Sequence, residues 1–584
     1  MFKEGGEDKE TYIGVIKRIT KTKKKRSTIM KKGLALILAA GLMMGLAGCS
    51  SGGSATVGGS EANTTAAAAD SSNNAGEEAS QGEKVVNIAF TVDMGDMDPF
   101  ALPTSGRNYL RYSVYDYIAV FSEFGQSWQE MDWGVAKNIT QIDEVTYEIE
   151  IYDYIKDAIG NHITAEDVAW CVETCKESGN LPRMGKYVDS AEAIDDTTFR
   201  LKLKTTAIGA IEYVFAQVCI VDKETYEANK STMSTTPISS AAYQVKECVS
   251  GSYYVLEKND DYWQTDESAK CYTANQQADK IVYNVVKEPS QVTVSLQTGE
   301  NDKATVLAQS ELSYFMNEDG TEVSGYHVSE KAGGTVNTIH FNCSEGNVFA
   351  DNQALRQAVL YAFDSQAIVD GVYKGHGEVI HDLATNLCGD YNKEWDQEDY
   401  YNYNEETAKQ KLEEAGYPGG IDPATGKALK IRLMSDTEHK DAAVIIQSYM
   451  IAIGLDCELL IYDNALLSSY VFDPTTFDVL LAYHGSEGYV TAVYDTMFSL
   501  NSEGLATKIF TKDDKLQELL EAATNVNTHS PETVEALHDY VYEQAYGAGI
   551  NVTYSYAASK DTIGIVRHPW GQLIGAACDY TDFK

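Results

Sequence analysis

The residues able to do chemistry are scattered along this chain rather than gathered. Cys171 and Cys175 stand four apart in TAEDVAWCVETCKES (164–178), which reads as a helix with Thr164 as N-cap and Asp167 at N3. Two thiolates so spaced could begin a metal site, but no second pair at zinc spacing follows, so they read as buried thiols. His529 and His538, in HSPETVEALH, lie too far apart for the short helical pairing of a zinc protease. No His-Glu-x-x-His and no Walker loop occurs. With 87 Asp and Glu in 584 residues, no carboxylate pair stands out as acid and base. Catalysis is therefore not expected, and neither is a cofactor or metal. Nine cysteines follow Cys49, an odd and widely spread set unlike a disulfide framework, with one or two disulfides left open.

Cys49 is placed differently. Lys31 and Lys32 precede an apolar run from Gly33 to Ala47, short of the ~18–20 residues that span a bilayer. A basic start, a short apolar stretch and small residues at its end describe a signal peptide. Leu46-Ala47-Gly48-Cys49 resembles the bacterial lipobox, whose cysteine receives a diacylglyceryl group and becomes the first residue of the mature chain. Two acyl chains hold a protein firmly at a membrane where one holds it marginally. Met30 opens a complete signal peptide (30–48), which makes residues 1–29 a possible upstream extension of the gene model. Residues 50–83 are low-complexity Gly, Ser, Ala, Asn and Thr, too poor in apolar surface to fold. As a coil they reach roughly 30–35 Å. The expected order is lipidated Cys49 and flexible linker (49–83), then a folded body.

That body is large and acidic. Residues 1–48 hold 11 Lys/Arg and 4 Asp/Glu, leaving 35 basic and 83 acidic residues from Cys49 onward, a net −48. Such a surface repels phosphate backbones and excludes nucleic-acid binding. Its length suits two or three domains. Strand-like and helix-like segments alternate. KVVNIAF (84–90), TYEIEIYDYI (146–155), SYYVLEKND (252–260), ALKIRLMS (428–435) and FDVLLAY (477–483) read as strands. DNQALRQAVLYAFDSQAIVDGVY (351–373) spaces Leu355, Val359, Phe363 and Ile368 as one helix face. NEETAKQKLEEAGYPGG (404–420) is a helix stopped at Gly416 with Pro418 beyond. Residues 441–463 read as helix, a turn at Gly454, then strand.

Five ordered stretches carry a family resemblance: DMDPF (96–100), TYEIEIYDYIKDAIGNHITAEDVAW (146–170), YYVLEKNDDYW (253–263), HFNCSEGNVFADNQALRQAVLYAFDSQAIV (340–369), and NYNEETAKQKLEEAGYPGG with IGLDCELL (402–420, 453–460). In this order they resemble the extracytoplasmic solute-binding proteins of peptide-type ABC importers, family 5, which take oligopeptides, dipeptides or nickel. The resemblance implies an α/β, two-lobed periplasmic-binding-protein-like fold (type II, class C), with a hinge and an extra subdomain in the first lobe. Lobe I would be 84–116, 231–337 and 553–584, the extra subdomain 117–230, and lobe II 338–552. It also implies a monomer at the outer face of the cell membrane, or in the periplasm where an outer membrane exists. There it would capture an oligopeptide between its lobes and deliver it to an ABC permease with its ATPases. Alternatives are an oligosaccharide, a nickel complex or, from another class, an extracellular hydrolase.

The resemblance also places candidate ligand residues, with departures. Oligopeptide binders often carry Arg-x-Gly-Trp-x-x-Asp-Tyr after the strand that matches FDVLLAY, the Asp pairing with the peptide's ammonium. Here LLAYHGSEGY (480–489) puts Glu487 on the Asp, His484 on the Trp and Leu481 on the Arg, with Tyr483 beside them. Glu487 is either the ammonium's partner or a solvated loop acid; His484 is either a cleft wall or a structural histidine. PTSGRNY (103–109) falls where the first-lobe wall begins, with Thr104, Ser105 and Arg107 as donors. Arg107 could anchor a carboxylate in fork geometry or serve a salt bridge. TPISSAAY (236–243) lacks the family's usual turn glycine.

Overall fold

The computed structural model describes residues 83–93, 95–101, 107–398, 400–485, 488–500 and 509–564. Cys49, the linker and Cys578 lie outside them. Eleven strands form one sheet: β1 (Val85–Phe90), β2 (Tyr243–Val249), β3 (Tyr253–Lys258), β4 (Lys280–Val285), β5 (Lys303–Leu307), β6 (Tyr326–Phe341), β7 (Gly377–Val379), β8 (Lys430–Asp436), β9 (Asp456–Tyr462), β10 (Val479–Gly485) and β11 (Gly547–Lys560). The order is β9-β8-β10-β6-β11-β5-β1-β4-β3-β2, with β7 added beside β11. At one end β8 runs parallel to both β9 and β10. Toward the other, β1 is parallel to β4 and β5.

Two apolar cores lie on this sheet. One gathers Ile88, Phe90, Tyr117, Ile149, Phe215 and Tyr254. The other gathers Ile339, Phe341, Leu433, Leu481, Val541 and Ile550. The first extends onto a separate four-stranded antiparallel sheet of residues 136–141, 146–151, 198–203 and 188–193, in that spatial order. Helix α1 (Arg107–Val114) follows β1, and α2 (Ala165–Ser178) packs on the small sheet. The second core carries α3 (Gln353–Ala362), α4 (Ser365–Val372), α5 (Lys440–Ala452) and α6 (Pro531–Gln544). β6 and β11 run from the second core, where Ile339 and Ile550 are buried, to a smaller cluster in which Val328 and Tyr556 pack with Ala89, Ala304 and Leu307 of β1 and β5.

Local chemistry fixes the element ends. The Thr164 N–H donates to Asp167 Oδ2 at 2.8 Å, so the expected cap of α2 forms. Cys171 and Cys175 are buried on that helix, and Cys171 donates to the Val221 carbonyl at 3.4 Å. The eight described cysteines are thiols. Gly416 takes a φ of +89° after the helix at 405–414, and Gly454 one of +102° between α5 and β9.

One expectation fails. Residues 351–373 are two helices, not one face. Phe363 and Asp364 leave helical geometry between α3 and α4, and the Asp364 carboxylate accepts from Gln366 N (2.9 Å) and Ala367 N (3.3 Å). An acid so placed offers the backbone an N-cap in place of helix continuation. Asp364→Ala should cost about 1 kcal/mol in urea unfolding, and Asp364→Asn much less. Equal losses would mean that the cap does not hold α4.

Candidate functional site

Open α/β sheets place ligands in the crevice outside the carboxyl ends of parallel strands. Here those ends are Asp436 on β8, Tyr462 on β9 and Gly485 on β10. Asp436 is fully buried; its Oδ1 accepts from His439 N at 2.8 Å and meets His439 Nδ1 at 2.7 Å. An Nδ1–H donated to Asp436 leaves Nε2 as an acceptor. The His439 ring stacks on Tyr483, with centroids 5.4 Å apart. Tyr483 is 45% exposed, the most accessible aromatic ring of this group.

The wall continues onto the shared strands. Tyr483 pairs in register with Asn337 on β6, and Asn337 with Asn551 on β11. Asn337 Nδ2 donates to Tyr373 Oη at 2.8 Å and to Asn551 Oδ1 at 3.2 Å. Burial, with the Asp436 charge as a smaller cause, pushes the Tyr373 phenol up to about 12, so it stays protonated and able to donate. The result is a polar, aromatic row of phenol, amide and imidazole groups. It suits hydrogen bonding to a polar solute and stacking on its apolar parts.

A second candidate wall follows along the chain. From Tyr483 the chain runs to Tyr489, which with Trp128, Tyr147, Gly209, Glu212 and Val526 lines a cavity of about 210 Å³. This cavity lies where the part carrying the small sheet touches the second core. Ile208 N donates to the Thr524 carbonyl and Val526 N to the Thr206 carbonyl, both at 2.8 Å. Lys186 lies 3.3 Å from Asp495. Glu212 Oε1 accepts from Trp128 N at 3.0 Å, and burial pushes its carboxyl up to about 7.

The candidate residues read from sequence fare unequally. Tyr483 stands on β10 in this row. His484 is paired in register with Val336, and Arg107 opens α1, but their side chains lie outside the described residues. Glu487, Thr104 and Ser105 lie outside them entirely. Asp436, His439, Tyr373, Asn337 and Asn551 were not singled out in the sequence. The available signal was polar residues in or at the ends of apolar strands: Ser-Asp after KIRLM, Asn within β6 and β11. Among the described residues no group of three or more His, Cys, Asp or Glu could hold a metal ion, and no helix is long and apolar enough to cross a membrane.

With this geometry in view, comparison with known proteins is decisive. Residues 133–507 match the profile of the bacterial extracellular solute-binding proteins, family 5, middle region. The chain belongs to that family. It is 24% identical over 443 residues to the oligopeptide-binding protein AppA of Bacillus subtilis, covering 70% of this chain and 75% of that one. The solved structure of B. subtilis AppA in complex with a nonapeptide superposes with a TM-score of 0.64 at 19% identity, covering 85% and 98% of the two chains. HbpA2 of Haemophilus parasuis gives 0.71 at 18% identity, covering 83% and 98%. The fold is therefore the two-lobed α/β fold of binding proteins, as the five sequence stretches imply. The relatives are solute-binding proteins, not enzymes.

Glu212 gives the junction a testable electrostatic signature. Its native carboxyl holds a proton that the unfolded chain releases near the ordinary value of 4.5, so its contribution to stability is present below that pH and is lost as pH rises through about 7. Glu212→Gln keeps the acceptor for Trp128 N without the charge. The variant should match the native protein at pH 4 and exceed it by up to roughly 3 kcal/mol at pH 8 in denaturant unfolding. An offset that does not change with pH would show that Glu212 ionises freely.

Proposed function

We propose that this protein captures oligopeptides between its lobes by hinge closure and hands them to the permease of an ABC importer, whose ATPases supply the energy. The observation that carries this reading is the run from Tyr483 to Tyr489. It starts at the carboxyl ends of the parallel strands, where a solute would lie, and ends at the contact between the two halves. A solute held there touches the residues that closure brings together. Closure removes water, and buried hydrogen bonds to peptide groups then strengthen. A family member with a nonapeptide bound supports the substrate class.

In this reading lobe I is 84–116, 231–337 and 553–584, the extra subdomain 117–230 and lobe II 338–552, and the hinge falls where β6 and β11 pass between cores. Glu487 pairs with the ammonium of the peptide, Tyr483 and His484 form the second-lobe wall, and Thr104, Ser105 and Arg107 the first-lobe wall. The protein is a monomer, held at the outer face of the membrane by lipid on Cys49 and a flexible linker.

Native mass spectrometry of the protein as purified should show retained peptides; a retained sugar or nickel complex would redirect the substrate class, and turnover of a peptide would refute binding alone. Glu487→Gln should weaken peptides with a free N-terminus by about tenfold or more in calorimetry, the scale of a charge-assisted bond, and N-acetylated peptides hardly at all. Equal loss for both, or none, would remove Glu487 from the site. Cys49→Ser should release the protein from the membrane fraction or leave its signal uncleaved. Unchanged anchoring would refute lipidation.

A further inference from the structure

The second core contains a cavity of about 460 Å³ between α6, the β7 strand and residues 380–400. It shares no lining residue with the row around Tyr483. Its wall is aromatic. Trp395 and His538 stack face to face with centroids 3.7 Å apart and planes 2° apart. Tyr391 meets Trp395 edge-on at 5.1 Å, and Tyr400 lies 4.0 Å from Tyr542. His538, nine residues from His529 and so outside the short helical pairing of a zinc protease, is built into this wall.

Its charge is of one sign. Glu378, Asp382 and Asp396 are lining residues, and the described lining includes no lysine or arginine. Two histidines, His381 and His538, also line it, and His538 Nε2 lies 3.0 Å from Asp382 Oδ2. Asp382 is buried and also accepts from Tyr494 Oη at 3.1 Å and Ala384 N at 2.7 Å. Burial, and then the Asp382 charge, push the Tyr542 phenol well up.

Four of its buried polar atoms are unmatched: Trp395 Nε1, Tyr542 Oη and both ring nitrogens of His538. Trp395 is 4% exposed and Tyr542 2%, yet Trp395 Nε1 and Tyr542 Oη have no hydrogen-bond partner among the described residues. Indole nitrogen can only donate. A buried donor left without an acceptor costs about 1–3 kcal/mol.

We propose that this cavity is a second ligand site, separate from the interlobe cleft, which takes a small arylalkyl amine. The amine's ring stacks among Tyr391, Trp395, Tyr400 and Tyr542. Its ammonium faces Asp382 and the carboxylates at the mouth, with cation–π support from the tyrosines. An oxygen on the ligand accepts from Trp395 Nε1–H. The volume lies within the range of ligand pockets, roughly 300–1,000 Å³.

Three probes separate these terms: tyramine carries ring, ammonium and acceptor oxygen, phenethylamine lacks the oxygen, and 4-ethylphenol lacks the ammonium. Calorimetry on the full folded protein, first alone and then saturated with peptide, should show tyramine binding at unit stoichiometry in both cases. Phenethylamine should bind about tenfold more weakly, the scale of one hydrogen bond to a buried donor, and 4-ethylphenol not measurably. Trp395→Phe keeps the stacked ring and removes the donor. It should weaken tyramine about tenfold, leave phenethylamine unchanged and leave the melting temperature within a few degrees, since the lost N–H had no protein partner. Tyr542→Phe provides the same test on the opposite wall. No tyramine binding, as expected if water alone satisfies Trp395, would overturn the proposal. So would displacement of tyramine by peptide, equal binding of 4-ethylphenol, or a Trp395→Phe change that affects both amines equally.

Discussion

The antiparallel pairing of β6 with β11 is the constraint on which the rest of the molecule hangs. Each strand runs from the second core to the smaller cluster on β1 and β5, so this pair joins the two ends of the large sheet. The pairing is regular at its ends and irregular in the middle. Between Ala332 and Val336, β6 has two more residues than β11, and between Asn337 and Thr338 the excess passes to β11. Bulges leave ladder groups unpaired and bend the strands that carry them. Gly333 sits in the first irregularity, where a Cβ would stand 2.9 Å from the Thr553 carbonyl. The irregular part of the ladder therefore lies between the second core and the cluster on β1 and β5.

The polar row grows from the same place. Asn337 and Asn551 are buried where the register shifts, and a buried amide must find partners or lose about 1–3 kcal/mol. Asn337 Nδ2 partners Asn551 Oδ1 and Tyr373, which ties the strand pair to the end of α4, while Asn337 Oδ1 and Asn551 Nδ2 have no partner among the described residues. Tyr483 joins through its register with Asn337, and His439 and Asp436 join through Tyr483. One continuous set of contacts thus joins Tyr483 to the irregular part of the strand pair.

Much of this was legible in the sequence because it is local. Period-two and period-3.6 patterns found β1, β8, β10 and α5, and a capping acid three residues past Thr164 found the start of α2. The break at Asp364 was also written there: Phe363 to Ile368 is a step of five, too long for a helix face, and an acid lies within it. The row is a different kind of fact. Asn337, Asp436, Tyr483 and Asn551 are separated by tens to hundreds of residues, and only sheet order brings them together. A single asparagine in an apolar strand gives no sign of its partner. Tyr483 was found through family resemblance, not through pattern.

The acidity of the chain acquires a role once buried carboxylates are considered with the surface ones. A net charge of −41 draws cations toward the protein, but at 0.1 M salt the attraction fades within about 10 Å. It can steer a ligand ammonium to a mouth without deciding where it rests. Desolvated acids decide that. Glu212 is held neutral up to about 7 by burial, so it offers an ammonium little at neutral pH. Asp382 is buried too, yet accepts from Tyr494 and Ala384 and faces His538. The two acids are therefore placed differently: Glu212 lies at a contact between halves, and Asp382 is held by Tyr494, Ala384 and His538 inside the second core.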